Sequence, residues 1–439
     1  MQKRLVHDKS NLFTSIISSK KLSFMARSVG FLKLKPKKIT AVNIILSYMN
    51  FISGANFSFS NWSISLSNLI NKKVSKQAIF KRINKNFIPY IKAVLEEILV
   101  KQLKNNSTRN CNLFKHFGNV YLQDATHFSL AAHLVSLFPG NRTCGAQRAV
   151  AKIVTIFNLK KGCFTKFDLS YFTKPDSTFT DLIYGVLEKS DLIIRDLGYF
   201  MISDFEKIKL HNAFFLSRMK LNVAVYDVKT NEQMNLAQIL KKKKRFDANV
   251  LISNKNPIKV RLVALPLPKK AVQERIRKAK ADRRNTRTNH SKEYYYLLGY
   301  SIFITNVGQE IWEANDICDA YKTRWHIEIL FKSWKSNLKA QYTEPDRYAT
   351  ETSVKTHFFL LLIYVSAFIM PLLIMIEQMM HKNKLIMEIS ILKLTSYVAL
   401  NLNELLGMNL SNKTLETIAY QTKYDKRADR KNFIEFMNQ

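Results

Sequence analysis

The sequence contains few cysteines, and their positions match no common structural site. They form no CxxC pair and no Cys/His cluster with the spacing of zinc ligands. This scatter argues against a structural zinc site and against a disulfide framework. We therefore expect reduced thiols in an intracellular protein. The four cysteines are Cys111, Cys144, Cys163 and Cys318.

Acidic residues are also scarce. The chain has 33 Asp and Glu residues against 69 Lys and Arg residues, which gives a formal net charge of +36. Because 47% of the residues are hydrophobic, the chain is long and apolar enough to fold around a substantial core and is not a disordered polycation. A surface this basic indicates a polyanionic partner, either nucleic acid or an anionic membrane.

The N-terminal segment MQKRLVHDKSNLF has neither the apolar run nor the cleavage site of a secretory signal. We therefore expect a cytoplasmic, nucleoid-associated protein. One apolar run, residues 358–376, has no charged residue and is long enough to span a bilayer, although it contains Pro371. A helix of this kind can also be buried inside a large domain, and we prefer that interpretation and expect no membrane partner.

Residues 64–85 (ISLSNLINKKVSKQAIFKRINK) resemble a helix-turn-helix. A short apolar helix around Leu66–Ile70 precedes a turn at residues 71–73, and Ser75 is placed to cap a second helix. Two helices of an unspecialised bundle with solvated lysines fit the pattern equally well. If the segment binds DNA, the second helix supplies Lys76, Gln77, Lys81 and Arg82.

The middle of the chain carries strand patterns. Strands are predicted at 118–130, 150–159, 164–172, 192–194 and 212–220. The first three suggest an antiparallel meander, and a helix over Phe200–Leu210 separates the last two. Residues 221–307 form a β-rich block, with strands over 248–268, a basic surface helix over 269–284 and a strand pair over 294–307.

From Asn315 onward the sequence predicts helices, the first capped by Asp316 and ending before Pro345. This helix carries four functional side-chain types at gaps of three, four and seven residues. Since an α-helix turns about 100° per residue, a continuous helix would place all four on one face. A solvated face of salt bridges and a catalytic face are both possible. The four residues are Tyr321, Arg324, Glu328 and Lys335.

Three acids lie in segments that otherwise read as buried. Asp124 follows VYLQ, Asp196 follows LIIR, and Glu328 lies between two isoleucines. Taken alone, each would more often be a structural acid or a strand-end cap. Two strand aspartates and one helical glutamate are, however, the three carboxylates of an RNase H-like nucleotidyltransferase core.

The four helical residues resemble a known signature. Tyr-x2-Arg-x3-Glu-x6-Lys is typical of bacterial DDE transposases of the insertion sequence four (IS-four) family, and here it lies within YKTRWHIEILFKSWK. The resemblance extends to DATHF around Asp124, RDLGYF around Asp196, FFLSRMK around Arg218 and ITNV at 304–307. It spans residues 118–345, about half of the chain.

The resemblance implies an enzyme that binds the terminal inverted repeats of an insertion sequence, cleaves DNA at the element ends and joins them to target DNA. Asp124, Asp196 and Glu328 are then the catalytic residues and bind two divalent ions, magnesium or alternatively manganese. The remaining signature residues would contact DNA, because they share a face with Glu328. By resemblance, the DNA contacts are Tyr321, Arg324, Lys335 and Arg218, with Trp325 stacking on a flipped base.

The resemblance also implies an α/β fold with an RNase H-like catalytic core that is interrupted by a β-rich insertion domain. The long gap between Asp196 and Glu328 supports an insertion, since a minimal core would close it with far fewer residues. The expected division is a helical DNA-binding domain (1–112), the first part of the core (113–220), the insertion (221–307), the second part of the core (308–379) and a helical C-terminal region (380–439). That last region is the expected contact of a homodimer.

Two points depart from the family pattern or stay open. Members that form a hairpin intermediate use a second aromatic residue from the insertion, but no tryptophan lies within 221–307. Phe303 or Tyr296 could take that place.

The alternatives to a transposase are a plain RNase H-like nuclease, an inactive DNA-binding regulator and a membrane-associated basic protein. The large insertion disfavours the first, and the intact acids and Tyr/Arg/Lys set disfavour the second.

Overall fold

The computed structural model describes Phe13 and residues 16–52, 58–109, 111–143, 145–254, 256–286, 289–338, 350–385, 387–407 and 410–425. These residues form two compact units. Unit one contains the described residues of 1–109, 125–174 and 326–434, and unit two contains those of 110–124 and 175–325. Cys144 and Pro345 lie outside the described residues, whereas Cys163 and Cys318 are free thiols.

The N-terminal part of unit one is helical, as the sequence predicts. Its helices are α1 (Ser19–Ser28), α2 (Ala41–Ile52), α3 (Phe59–Ile70), α4 (Lys76–Arg82) and α5 (Phe87–Asn105). Asn71 adopts a left-handed conformation where α3 ends, and the Ser75 hydroxyl accepts a hydrogen bond from the Ala78 N–H at the start of α4. The predicted pair of helices and the Ser75 cap are therefore confirmed.

Unit one also contains an antiparallel meander. Strand β1 (Val120–Ser129) enters this unit with its second half, and it is followed by β2 (Pro139–Thr143), β3 (Ala146–Asn158) and β4 (Cys163–Tyr171). The β3 strand pairs antiparallel with both β2 and β4, which confirms the predicted antiparallel pairing of the second and third strands of the meander and adds the short strand β2. Just after β1, the Leu130 N–H donates to the Ala149 carbonyl at 2.9 Å.

The apolar run forms one long helical stretch in the core of unit one. It comprises α12 (Glu351–Tyr364), a π-helical turn (Val365–Ile369) and α13 (Met370–Lys382). Among the described residues, this is the one helix that is long and apolar enough to cross a membrane, but 89% of its apolar window is buried inside the protein. Contacts with the N-terminal helices explain the burial: the Tyr48 hydroxyl lies 2.6 Å from His357 Nδ1. The preferred interpretation as a core helix agrees with this.

The rest of unit one is helical. Helix α14 (Ile391–Gly407) is kinked at Asn401, and α15 (Asn412–Thr422) follows it. The Ser411 hydroxyl caps α15 by accepting a hydrogen bond from the Thr414 N–H. In this region the prediction of a helical C-terminus is confirmed for the described residues.

Unit two is built on a sheet with the strand order β1–β5–β6–β10–β9–β8–β7. Its further strands are β5 (Leu192–Arg195), β6 (Phe214–Arg218), β7 (Val225–Asp227), β8 (Phe246–Ile252), β9 (Ile258–Pro266) and β10 (Tyr300–Thr305). Strands β1, β5 and β6 run parallel, whereas the others pair antiparallel. Helix α6 (Ile202–Leu210) connects β5 to β6. All four residues of β5 are buried, as expected for a strand covered on both faces.

The segment 221–307 is more helical than the sequence predicts. It contains α7 (Leu236–Lys243), the basic helix α8 (Lys269–Thr286) and α9 (Lys292–Leu297). The predicted strand pair over 294–307 is wrong, because only β10 forms there. The Ser291 hydroxyl accepts from the Tyr294 N–H and caps α9, and this local signal outweighs the strand preference of the three tyrosines.

The predicted continuous helix through the signature residues is also wrong. Helix α10 (Ala314–Lys322) ends before α11 (Trp325–Ser336) begins, so Tyr321 and Glu328 belong to different helices. At the break, the Thr323 hydroxyl donates to the Ala320 carbonyl at 2.6 Å and competes with the helical pattern. Asp316 is not the N-cap. Glu313 is, and Asp316 accepts from the Glu313 N–H to complete a capping box.

Candidate active site

The two aspartates of the predicted triad lie side by side in unit two. In the parallel pair of β1 and β5, Gln123 is in register with Arg195, and Asp124 and Asp196 are the next residues. Because neighbouring strands lie about 4.8 Å apart and each aspartate directly follows the last paired residue of its strand, both carboxylates are presented at one place. Both aspartates are half-buried. The sequence predicted this pairing from two acids that follow apolar runs.

Tyr321 in the last turn of α10 and Arg324 in the break that follows it bind these carboxylates directly. The Tyr321 hydroxyl donates to Asp196 Oδ1 at 2.9 Å, and Arg324 Nη1 donates to Asp124 Oδ2 at 2.9 Å. The Arg324 guanidinium also lies 5.6 Å from the centre of the Tyr321 ring. Burial and the Asp196 charge raise the pKa of the Tyr321 phenol, so it stays a hydrogen-bond donor at neutral pH.

Arg218 lies on the same side of the sheet as Tyr321. It is the last residue of β6 and pairs with Phe303 of β10, whose ring centre is 5.1 Å from that of Tyr321. Directly opposed residues on neighbouring strands point to the same face. The Arg218 charge also lowers the pKa of Tyr321. The structure therefore brings a second predicted cation, after Arg324, close to the aspartate pair.

A second arginine near Arg218 was missed by the sequence analysis. Arg275 belongs to the basic helix α8, and its Nη1 donates to the Tyr300 carbonyl at 2.9 Å. Burial and the nearby Arg218 charge lower the pKa of the Arg275 guanidinium. Two arginines held close together favour an anion between them. Nothing in the sequence pattern distinguishes Arg275 from the many other basic residues of its helix.

Two further groups around the aspartates were also missed. Gly198 leaves room for Asp176, since a Cβ at Gly198 would lie 2.8 Å from Asp176 Oδ2. Burial, followed by the charges of Asp176, Asp124 and Asp196, raises the pKa of the Tyr199 phenol. Asp176 stands in a polar run after Pro175, so a search for acids within apolar segments could not identify it.

The other predicted residues are placed separately. Trp325 is the first residue of α11 and is 63% exposed, as a base-stacking side chain must be. Glu328 lies in the first turn of α11, is half-buried and belongs to unit one. In the same unit, the Lys335 ammonium is 5.5 Å from the centre of the Phe128 ring. The triad with Glu328 stays a prediction. Within the described ranges, no three His, Cys, Asp or Glu side chains form a group that could hold a metal ion.

The remaining candidates differ in accessibility. Lys76, Gln77 and Lys81 of α4 are exposed and Arg82 is half-buried, so these side chains can be reached by a partner. Phe303 is only 3% exposed and packs on Tyr321, which makes it a poor base-stacking residue. Tyr296 is half-buried, with its hydroxyl 3.1 Å from that of Tyr300.

Comparisons with known proteins agree with this geometry. Residues 115–364 match the family model described as the transposase DDE domain. The transposase for insertion sequence element IS231B of Bacillus thuringiensis subsp. berliner is 29% identical over 338 residues, which cover 72% of this chain and 70% of that one. The transposase for insertion sequence element IS1151 of Clostridium perfringens is 25% identical over 292 residues, covering 62% and 61%.

A solved structure is also similar in part. The piggyBac transposase, in a synaptic complex with hairpin DNA determined by cryo-EM, aligns with a TM-score of 0.45 at 10% sequence identity and covers 96% of this chain and 86% of that one. The family assignment rests on the sequence match, which includes both aspartates and the Tyr/Arg/Glu residues of the signature and covers more than half of the chain. The predicted family is confirmed: this chain belongs to the DDE transposases.

Proposed function

We propose that this transposase binds the terminal inverted repeats of an insertion sequence, cleaves the DNA at the element ends and joins these ends to target DNA. The observation that carries the proposal is the register of β1 and β5, which presents Asp124 and Asp196 together just after the last paired residues of these parallel strands. The relatives named above are transposases of insertion sequences, which supports the same substrate class.

The donor set around the aspartates fits a hard divalent cation. Magnesium prefers carboxylate oxygens, and Asp124 and Asp196 supply two carboxylates at one sheet edge. We propose that Glu328 completes the set and that these residues hold two ions, magnesium or manganese. When bound, the two ions would activate the attacking water or DNA 3′-hydroxyl and stabilise the leaving oxygen.

The cationic side chains are assigned to DNA phosphates. Arg324, Arg218 and Lys335 supply positive charge, and Tyr321 supplies a donor, which are the groups that position a phosphodiester without reading its sequence. Arg324 is only 8% exposed, so its guanidinium is held in place before DNA arrives. The exposed indole of Trp325 is available to stack on an unpaired base next to the cleaved bond.

The proposed domain roles follow the strand order. Unit two has the parallel set β1–β5–β6, and unit one has β4 paired to β3 and the second half of β1 next to β3. We infer an RNase H-like core from this order, with the division at 1–112, 113–220, 221–307, 308–379 and 380–439. Helix α4 would contact the inverted repeat, and the helices within 380–439 would join two copies into a homodimer.

The test uses purified full-length protein, magnesium and a duplex that contains the sequence flanking the coding region. Wild type is expected to cut at the repeat boundary and to join the cut end to a supercoiled target plasmid. Glu328→Ala and Asp124→Asn are expected to bind the duplex but to lose more than about 100-fold in cleavage. Loss of a residue one shell outside a metal costs up to about 100-fold, and loss of a direct ligand should cost more. Lys332→Ala, an exposed residue on the same helix as Glu328, is the matched control.

Each outcome bears on one interpretation. Cutting by Glu328→Ala at the wild-type rate would refute the assignment of that residue. Cutting without joining would indicate a plain RNase H-like nuclease. Specific binding without cutting by wild type in either magnesium or manganese would indicate an inactive regulator.

A further inference from the structure

A buried hydrogen-bond network lies directly behind the aspartate pair in unit two. The Arg195 guanidinium is its centre: Nε donates to Gln123 Oε1 at 2.7 Å, Nη2 donates to the Thr180 carbonyl at 2.8 Å, and Nη1 pairs with the Asp204 carboxylate. Gln123 Nε2 donates in turn to the Phe179 carbonyl at 2.7 Å. One network therefore joins β1, β5, α6 and the 3₁₀ turns at 176–185.

This network is dry. Gln123 and Asp204 are fully buried, and Arg195 is 1% exposed. The second carboxylate oxygen of Asp204 accepts a hydrogen bond from the Tyr184 hydroxyl at 2.7 Å. A buried ion pair whose remaining groups are also bonded is rigid, because any displacement leaves a desolvated charge without its partner. The Gln123 and Arg195 side chains therefore have one well-defined arrangement.

The position of the network relative to the aspartates gives it a role. Gln123 and Arg195 are direct neighbours in the β1–β5 register, and each immediately precedes one of the aspartates. Asp196 keeps an extended backbone, so successive side chains point to opposite faces of the sheet. The network thus lies on one face of the sheet, and Asp124 and Asp196 project from the other face of the same two strands.

We propose that Gln123 and Arg195 are positioning residues, which lock β1 to β5 at the last pair of their parallel segment and so fix the separation of the two carboxylates for metal binding. This inference rests on the proposed function, in which those carboxylates are metal ligands. Neither residue touches the metal or the DNA. Their effect passes through the backbone, since Gln123 and Asp124 share a peptide bond, as do Arg195 and Asp196.

The sharpest variant is Gln123→Met. The methionine side chain has nearly the same volume as that of glutamine. The substitution removes the only side-chain hydrogen bond that directly joins β1 to Arg195 within the network described above. It leaves the Arg195–Asp204 ion pair in place. Asn306→Leu is the matched control. Asn306 also makes two hydrogen bonds, accepting from the Phe215 N–H at 2.8 Å and donating to the Ala213 carbonyl at 2.8 Å. These bonds lie where β6 begins, at the opposite end of the parallel strands from the aspartates.

The experiment measures Mn²⁺ binding to the full-length protein without DNA by electron paramagnetic resonance, with the melting temperature recorded for each variant. Gln123→Met is expected to bind Mn²⁺ about tenfold more weakly than wild type, which is the effect of losing an outer-shell partner at a metal site. Asn306→Leu is expected to lower the melting temperature and to bind Mn²⁺ as wild type does. The magnesium concentration for half-maximal cleavage should shift in parallel.

The inference is overturned if Gln123→Met binds Mn²⁺ within twofold of wild type, or if Asn306→Leu weakens binding equally. Asp196→Asn separates this inference from the proposal on which it rests. If Asp196→Asn does not weaken Mn²⁺ binding, the metal site itself is wrong. If Asp196→Asn weakens binding and Gln123→Met does not, the metal site stands and only the positioning role is refuted.

Discussion

The two halves of the sheet in unit two have different strand directions, and only one half collects the candidate active-site residues. In the parallel half, the pairing of β1 with β5 and of β5 with β6 stops at one level of the sheet, where Asp124, Asp196 and Arg218 follow one another across the strands, although β1 itself continues to Ser129. In the antiparallel half, neighbouring strands end at opposite edges. Strand direction thus decides where functional side chains can converge. In an antiparallel pair, a residue at the end of one strand lies beside the start of its neighbour and not beside its end.

Each half also contains a buried arginine that is paired with an aspartate behind or beside the strands, and these two arginines fix different parts of the chain. Arg195 joins the ends of the two strands that carry the aspartates. Arg261 in β9 instead binds Asp247 of the neighbouring β8 through two hydrogen bonds of 2.7 Å. Its Nη1 donates to the Gly308 carbonyl at 3.0 Å and to the Trp312 carbonyl at 2.8 Å. Arg261 therefore fixes the chain that leaves β10, and its expected contribution is to stability.

The largest expected effect comes from breaking the Arg261 pair. Arg261→Met removes the charged partner of Asp247 and the donor from the carbonyls of Gly308 and Trp312, so we expect a loss of about 3–5 kcal/mol in the free energy of unfolding. Urea denaturation measures it. DNA cleavage per folded molecule should stay at the wild-type level. Lys278→Met is the control, because its ion pair with Glu274 is exposed and should contribute little.

That comparison would fail in a specific way. If Arg261→Met reduces cleavage per folded molecule as strongly as Gln123→Met does, the two ion pairs are equivalent. The antiparallel half would then be as closely linked to the reaction as the parallel half.

A smaller effect is expected for Tyr321→Phe, and it should reduce DNA cleavage more than stability. This change removes one hydroxyl that donates to Asp196 Oδ1 and keeps the ring that packs on Phe303. We expect cleavage to fall about tenfold, as for other partners one shell outside a metal, and stability to fall by less than about 1.5 kcal/mol. Tyr121→Phe is the control, since it removes a hydroxyl bonded to the Val186 carbonyl earlier in β1. Equal losses of cleavage in both variants would show that the hydroxyl of Tyr321 has no special role.

The sequence predicted the parts of the site that depend on local pattern. Asp124 and Asp196 were identified because each acid follows an apolar run, and burial of β5 on both faces explains why that run does not alternate. The break between α10 and α11 was not predicted, because helical spacing alone does not reveal that the Thr323 hydroxyl would bond to the Ala320 carbonyl.

Long-range contacts were outside the reach of the sequence. Gln123 and Arg195 immediately precede the two aspartates, yet only the strand register shows that they bond to each other and that Asp204 completes the network. Asp176 and Arg275 are similar cases, since each comes close to the site through the path of the chain and not through a recognisable motif.

The smallest expected effect tests whether the antiparallel half also reaches the DNA. Arg275 of α8 lies near Arg218, and the charge of one guanidinium lowers the pKa of the other, so a phosphate between them would relieve their repulsion. Arg275→Gln should weaken binding to the flanking-sequence duplex only slightly at low salt and reduce the slope of log affinity against log salt by about 0.9. Arg277→Gln is the matched control, because Arg277 is an exposed residue of the same helix. If wild type and Arg275→Gln have equal slopes of log affinity against log salt, Arg275 does not contact a phosphate. The DNA contacts of unit two would then lie only in the parallel half and α10. A reduced slope in Arg275→Gln but not in Arg277→Gln would mean that the inserted segment adds a phosphate contact close to Arg218.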